Sequence, residues 1–213
     1  MIALCPHVRG QLADREMKQT AEVFLSKAGM ESSEEKAYQE LWEDMAAYNA
    51  AIYAEGQAGL SSTDAYEIPS FALTEYGLED EVFGVISIPA LYLELPLYLG
   101  ATKQHLAAGA AVLSQTSIPI GGNNTNAVIA GHRGWCGADY FRYITELQPG
   151  DKVIITNLWE TLPYVVVGAE IIEPNAVDEI LIQEGRDMLI LLTCHPYASG
   201  GKQRYLVFCE RVV

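Results

Sequence analysis

The sequence has few cysteines, and their spacing excludes what paired cysteines usually build. They are spread widely and irregularly, and no CxxC pair occurs: Cys5, Cys136, Cys194 and Cys209. Structural zinc sites and disulfide frameworks need close, paired spacing. A chain of 213 residues that is 50% hydrophobic can also bury a core without covalent staples. We therefore expect no metal, no cofactor and no disulfide framework.

Basic residues are also scarce. The chain has 13 Lys and Arg residues against 28 Asp and Glu residues, which gives a formal net charge of -15. Such a chain repels phosphate backbones, which argues against general nucleic-acid binding and against a polybasic membrane-surface patch. It also lacks a run of about 18 apolar residues, the length that a transmembrane helix needs. The first ten residues are too short for the apolar region of a signal peptide.

The N-terminal part is rich in helix formers. Residues 8–30 and 32–56 are predicted to form two helices, and the second opens on a capping-box pattern of Ser32 with Glu35. Apolar side chains recur in the second helix every three or four residues, at Tyr38, Leu41, Trp42, Met45, Tyr48 and Ile52. This stripe is expected to pack on the domain that follows. Residues 57–80 have no sustained period, which is typical of a functional loop or a linker.

The rest of the chain has the pattern of strands. Short segments rich in Val, Ile, Leu and Tyr are bounded by turn residues, at 81–89, 91–100, 109–114, 126–132, 151–157, 162–172, 187–194 and 203–213. Short helices are predicted between them, at 102–109, 137–147 and 175–183. Eight such strands predict a closed barrel or a sandwich. The chain is thus divided into a helical N-terminal arm (1–56), a loop (57–80) and a β-barrel (81–213).

One of these strands ends on a cysteine. Side chains alternate between the two faces of a strand, so Cys194 and His195 point to opposite faces. The loop 195–203 can join this strand to the last one as an antiparallel neighbour, and Cys194 then lies near Arg204. A guanidinium beside a thiol favours the thiolate and can hold a substrate oxyanion. Cys209, farther along the last strand, is expected to be buried.

Thiol chemistry at a carbonyl also needs a group that moves protons, and histidine is the usual one. His7 and His105 are expected to be solvated surface residues, and His195 faces away from the thiol. His132 ends its own strand next to a glycine, just as Cys194 ends another. A pair of Cys194 and His132 at one barrel rim is therefore one hypothesis. The alternative is that the cysteine packs in the core as a small hydrophobic residue.

The sequence around this cysteine resembles a known signature. ILLTCHPY, followed by QRYLV, is similar to the TLxTC signature of sortases, the cysteine transpeptidases of Gram-positive cell surfaces. The resemblance implies that Cys194 is the nucleophile and Arg204 the arginine of the family. Ile190 stands where the first threonine of the signature is expected.

Two further segments extend the resemblance. GGNNTNAVIAGHRG is similar to the sortase segment that carries the catalytic histidine, here His132. The proline and tyrosine in TCHPY are typical of class C, the pilus-assembling type, and so is a helical N-terminal arm. The resemblance implies a mainly β fold, an eight-stranded sortase-type β-barrel with short helices. It covers residues from about 80 to 213 strongly and the arm more loosely.

Class C sortases usually carry a lid with an Asp-Pro-aromatic motif over the cysteine. The counterpart here is TDAYEIP, with Ala65 where the proline is expected. The resemblance implies that Asp64 meets Arg204 and that Tyr66 covers Cys194. The alternative is an exposed loop acid and a half-buried tyrosine.

The resemblance also implies a reaction and a location. A sortase cleaves the Thr–Gly bond of an LPXTG-like sorting signal through a thioacyl-enzyme, and class C joins the acyl group to a pilin lysine. Three alternatives stay open: anchoring of surface proteins to a peptidoglycan amine, simple peptide hydrolysis, and an adhesion module with a buried, unreactive cysteine. Sortases are anchored by hydrophobic segments, so the chain is expected to be a trimmed ectodomain from the outer face of a Gram-positive membrane.

Overall fold

The structure, a computed structural model, describes residues 6–27, 35–62, 68–78 and 80–212. Within these ranges the helices are α1 (Pro6–Lys27), α2 (Glu35–Ala54) and α3 (Lys103–Ala108). The strands are β1 (Val82–Ile88), β2 (Leu93–Leu99), β3 (Ala110–Val112), β4 (Thr125–Ala130), β5 (Arg133–Trp135), β6 (Ala138–Tyr140), β7 (Lys152–Asn157), β8 (Thr161–Ile172), β9 (Asp187–His195) and β10 (Gln203–Arg211). The described helices include none that is both long enough and apolar enough to cross a membrane.

Eight of these strands close into a barrel in the order β1-β2-β3-β4-β9-β10-β8-β7. Neighbouring strands are antiparallel except for the pairs β2–β3 and β4–β9, which run parallel. Strands β5 and β6 form a separate two-stranded hairpin beside the barrel. The predicted mainly β fold with an eight-stranded closed barrel is confirmed.

Alternation along the strands sorts side chains into two apolar clusters. On β9 and β10, Leu191 and Cys209 belong to the main core, whereas Ile190 and Leu206 belong to a second cluster on the outer face. Cys209 is fully buried, as predicted, and burial raises the pKa of its thiol to about 12. Strands β9 and β10 are thus covered on both faces, which holds their register firmly.

The arm packs into the same core as the barrel. Leu41 and Met45 of α2 are fully buried in one cluster with Phe83 of β1, so the apolar stripe packs as predicted. Trp42 lies at the edge of the stripe and stays 37% exposed. Ser32 lies outside the described residues, so its capping box remains a prediction.

Two of the three short helices predicted between strands are wrong. Residues 137–147 form β6 and then a 3₁₀ turn at Ile144–Glu146. The reason lies in the preceding turn, where Cys136 and Gly137 both have a positive φ and reverse the chain into a hairpin. Residues 175–183 contain only a 3₁₀ turn at Val177–Ile180. The helix expected at 102–109 is confirmed as α3.

His105 on α3 is buried, so its prediction as a solvated residue is wrong. Its ring stacks on Tyr98 of β2 with centroids 5.0 Å apart. Its Nδ1 lies 2.8 Å from the carbonyl oxygen of Gly100, and Glu81 approaches its Nε2 at 3.6 Å. This histidine is a structural residue that fastens α3 to the barrel.

Candidate active site

Cys194 lies near the end of β9, at one rim of the barrel. It is half-buried and is paired with Arg204 across β9 and β10, so the predicted cross-strand neighbours are confirmed. The Nη1 of Arg204 donates hydrogen bonds to the carbonyl oxygens of Gly201 at 2.7 Å and of Gln203 at 3.1 Å. These bonds hold the guanidinium against the loop that follows the cysteine.

The thiol of Cys194 and the guanidinium of Arg204 both lie next to Gly201. It has a φ of +80°, and a Cβ built on it would lie 3.3 Å from Cys194 Sγ and 3.2 Å from Arg204 Nη1. The two side chains therefore reach the same small space beside the loop backbone. Sequence reasoning did not identify this residue, although a Gly-Gly pair before the last strand is a usable signal of positive φ.

His132 follows the end of β4, which runs parallel to β9 with Ala130 beside Leu192. The N–H of Gly131 donates to the carbonyl of Leu192 at 3.1 Å, and Thr193 Oγ1 donates to the carbonyl of Gly131 at 2.8 Å. Because parallel strands end at the same edge of a sheet, these bonds bring His132 and Cys194 to the same rim. The structure thus places the three predicted catalytic residues at one end of the barrel.

Aromatic rings cover the imidazole of His132. Trp135 stacks on it with centroids 4.8 Å apart, and Tyr140 meets it edge-on at 5.8 Å. Burial lowers the pKa of His132 below its usual value, because the imidazolium loses hydration there. The neutral ring is accordingly the major form at neutral pH.

Arg133 was not predicted from the sequence. It links the chain after His132 to the end of β9. Its Nη1 lies 2.7 Å from Nδ1 of His195 and donates to the carbonyl oxygen of Cys194 at 3.4 Å. His195 points away from the thiol, as predicted, and its ring stacks on Tyr205 with centroids 5.8 Å apart. Its position directly after the candidate catalytic histidine is the sequence feature that could have identified Arg133.

Other polar residues that flank His132 in the sequence have structural roles or none in this group. Cys136 is an exposed free thiol, and Asp139 pairs with Arg142 at 3.4 Å. Asn124 is a turn residue, with a φ of 61° and a side chain that accepts from the N–H of Gly185 at 2.6 Å. Within the described ranges no three His, Cys, Asp or Glu side chains are grouped as metal ligands would be.

Asp64 and Tyr66 lie outside the described residues, so their contacts with Arg204 and Cys194 stay a prediction.

A cavity of about 510 Å³ lies at the opposite end of the barrel. Its lining includes Gly122, Asp187 and Arg211, and Asp187 begins the strand that Cys194 ends. The cavity is therefore not part of the candidate active site.

Comparison with known proteins agrees with this geometry. A model of the sortase domain family matches residues 86–212. Sortase A of Bacillus anthracis is 32% identical over 127 residues, which cover 60% of this chain and 58% of that protein. The chain spans less than two thirds of the length of the curated relatives it matches.

Solved structures are similar over more of the chain. Sortase C-1 of Streptococcus pneumoniae is 31% identical with a TM-score of 0.77, and the match covers 92% of this chain and 98% of that one. Sortase C of Clostridium perfringens, solved with the C-terminal cell wall sorting motif, is 29% identical with a TM-score of 0.75, covering 92% and 99%.

The family match extends over more than half of the chain and includes His132, Cys194 and Arg204. The two solved structures named above are class C sortases, and their similarity reaches into the helical arm because it covers 92% of the chain. This chain therefore belongs to the sortase family, whose members are cysteine transpeptidases.

Proposed function

We propose that this chain is a class C sortase that cleaves the Thr–Gly bond of an LPXTG-like sorting signal and joins the acyl group to a pilin lysine. The observation that carries the proposal is the convergence of Cys194, His132 and Arg204 at one rim of the barrel. The strand pairings of β9 with β10 and with β4 produce this convergence.

The chemistry follows from these groups. The Cys194 thiolate attacks the threonine carbonyl carbon, and Arg204 stabilises the oxyanion that forms. The C–N bond then breaks as His132 gives its proton to the leaving glycine amine, and a thioester remains on the sulfur. In the second half, His132 takes a proton from the acceptor amine, which attacks the thioester and releases the thiolate.

The protonation states set a limit on the rate. The first half needs a thiolate together with an imidazolium, but burial lowers the pKa of His132 and disfavours the imidazolium. The imidazolium of His132 is then a minor form at neutral pH, which limits the population that can begin the reaction. A covered histidine and a half-buried thiol are consistent with a slow, selective transpeptidase.

The substrate and partners are part of the proposal. The sorting motif in the Clostridium perfringens structure supports a sorting signal as donor, and the class C neighbours favour a pilin lysine over a cell-wall amine as acceptor. Such a reaction takes place at the outer face of a Gram-positive membrane. The adhesion-module alternative is weaker, because Cys194 is half-buried whereas Cys209 has the full burial of a core thiol.

The test is formation of a thioacyl adduct. The protein is incubated with a quenched LPXTG-type peptide and amine acceptors, and the products are identified by mass spectrometry. We expect an adduct on Cys194 that is absent in Cys194→Ala, and acylation slower by about 10² to 10⁴-fold in His132→Ala. Cys136→Ala is the matched control, because it removes an exposed thiol near His132 without changing the strand ends.

The acceptors separate the alternatives. Ligation to a pilin-type lysine peptide in preference to a peptidoglycan-type amine supports the pilus function, and the reverse preference supports cell-wall anchoring. Release of the free acid only would identify a peptidase. A Cys194 that resists both the peptide and iodoacetamide in the folded protein would rule out the transpeptidase.

A further inference from the structure

We propose that Arg133 is a positioning residue that fixes the Cys194 peptide relative to His132, with the His195 ring as its second anchor. The inference rests on the proposed transpeptidase function. Arg133 does not touch the thiol; it acts through the backbone that carries the thiol.

The contacts of Arg133 form a short bridge. It is joined to His132 by one peptide bond, and its Nη1 donates to the carbonyl oxygen of Cys194 at 3.4 Å. The same nitrogen lies 2.7 Å from Nδ1 of His195, the next residue along β9. One side chain therefore connects the residue after the proposed acid–base group to the peptide of the proposed nucleophile.

On the barrel side of the active site, β4 and β9 are joined by their strand pairing up to Ala130 and Leu192. Two further bonds follow, from Gly131 N–H to the carbonyl of Leu192 and from Thr193 Oγ1 to the carbonyl of Gly131. These bonds stop one residue short of His132 and Cys194. Arg133 adds the link beyond them, so the strand ends are fixed on both sides of the catalytic pair.

His195 is suited to accept this bond. The pKa of His195 is lowered, first by burial and second by the positive charge of Arg133, so its ring is neutral at neutral pH. A neutral ring can offer the lone pair of Nδ1 while its proton is on Nε2. Stacking on Tyr205 at 5.8 Å keeps the ring in place on β10.

Arg133 also has an unfavourable feature that packing alone does not explain. Its Nε is buried and has no hydrogen-bond partner among the described residues. Buried donors are nearly always paired, and an unpaired one destabilises the fold. An arginine that keeps such a defect while it grips the nucleophile's peptide is consistent with a functional role.

The expected effect is on the chemical step rather than on binding. A shift of about 1 Å between reacting groups can lower a rate by about a hundredfold. Loss of the bridge should therefore lower kcat for acylation by up to that factor and leave KM nearly unchanged, because Arg204 and Gly201 are not altered.

The experiment compares two substitutions of His195. In His195→Asn the side-chain oxygen can replace Nδ1 as the acceptor, whereas in His195→Gln the polar end reaches toward the position of Nε2. Both lose the ring stack on Tyr205, so each controls for the packing of the other. We expect His195→Asn to keep most of the acylation rate and His195→Gln to lose about tenfold or more.

Arg133→Ala is measured beside them, with Arg142→Ala as the matched control. Arg142 lies just after the same hairpin and packs on Tyr197 at 4.8 Å, without a bond to the Cys194 peptide. We expect a kcat loss of about a hundredfold in Arg133→Ala, with an unchanged KM, and a loss of less than about threefold in Arg142→Ala. Circular dichroism checks that each variant is folded.

The outcomes are distinct. Wild-type kcat in Arg133→Ala, or equal kcat in the two His195 variants, would overturn the inference. If Arg133→Ala does not fold, the comparison of kcat between the two His195 variants tests the inference by itself. If the wild-type protein forms no acyl adduct, the proposed function fails, and the inference is then tested by the iodoacetamide rate of Cys194, which should differ between His195→Asn and His195→Gln.

Discussion

Gly201 is the residue on which the space between Cys194 and Arg204 depends. Its carbonyl accepts from Arg204 at 2.7 Å, and its φ of +80° belongs to the left-handed region that favours glycine. A methyl group at this position would come within 3.3 Å of the thiol sulfur. Gly201 must therefore adopt a left-handed backbone conformation and also leave space for the reacting groups.

We predict that Gly201→Ala lowers the acylation rate by about tenfold, because the added Cβ pushes the thiol and the guanidinium apart by a few tenths of an ångström. Gly200→Ala is the matched control, since Gly200 has a φ of +74° but nothing within 4 Å of the added Cβ. Both variants should lose about 1 kcal/mol of stability from the left-handed backbone. Pre-steady-state acylation and thermal melts measure the two effects. Equal acylation rates in the two variants would show that clearance at Gly201 does not matter.

The strand pattern allowed part of this site to be predicted. The pairing of Cys194 with Arg204 follows from the two-residue period of strands and from the loop 195–203 that joins the two strands, which are local properties. The roles of Gly201 and Arg133 depend on loop and hairpin geometry that arises only when distant segments pack together. Burial of His105 was missed for the same reason, since its partner Tyr98 belongs to another element.

At the scale of elements, the β5–β6 hairpin both covers His132 and supports it. The N–H of Phe141 donates to the carbonyl of His132 at 2.9 Å. Helix α1 packs closely against the hairpin turn, because a Cβ on Gly10 would lie 2.2 Å from the carbonyl of Gly137. The segment 137–147 was predicted as a helix because its composition suits one, but the turn at Gly137 and contact with α1 select the hairpin.

We predict that Gly10→Ala destabilises the protein by about 1–3 kcal/mol, because the new methyl group overlaps the backbone of Gly137. The direction of the stability change is informative, because a Gly-to-Ala substitution in an exposed helix stabilises a protein by about 1 kcal/mol. Denaturant unfolding gives the free energy, and acylation kinetics show whether the hairpin still holds His132. Lys18→Ala, an exposed position on α1, is the control and should change stability by less than about 0.5 kcal/mol. A more stable Gly10→Ala variant would mean that α1 does not rest on the hairpin.

At the scale of the whole molecule, the arm and the barrel share one core. The amphipathic period of α2 was enough to predict that it packs on the barrel, but not which polar groups fasten it there. Asn49 of α2 is buried, and its side chain donates to the carbonyl of Ile118 at 3.0 Å and accepts from the N–H of Ile118 at 2.8 Å. Removal of residues 1–80 to expose the thiol would also uncover Phe83 and its neighbours in the core, so point substitutions at Asp64 and Tyr66 are the better test of the lid.

We predict that Asn49→Ala lowers the free energy of unfolding by about 3 kcal/mol, because it leaves the buried N–H of Ile118 without its partner and removes one of the two hydrogen bonds to the Ile118 carbonyl, which keeps the N–H of Ile120. That loss corresponds to a fall in Tm of about 10 °C for a chain of this size. If arm and barrel are one cooperative unit, the helical signal in the far-ultraviolet and the aromatic signal in the near-ultraviolet will shift together. Gln39→Ala on the exposed face of α2, which removes a bond to Glu43 of 2.7 Å, should change Tm by little. Separate transitions, with only the helical signal shifted in Asn49→Ala, would show that the arm folds apart from the barrel and that α2 does not stabilise the active-site rim.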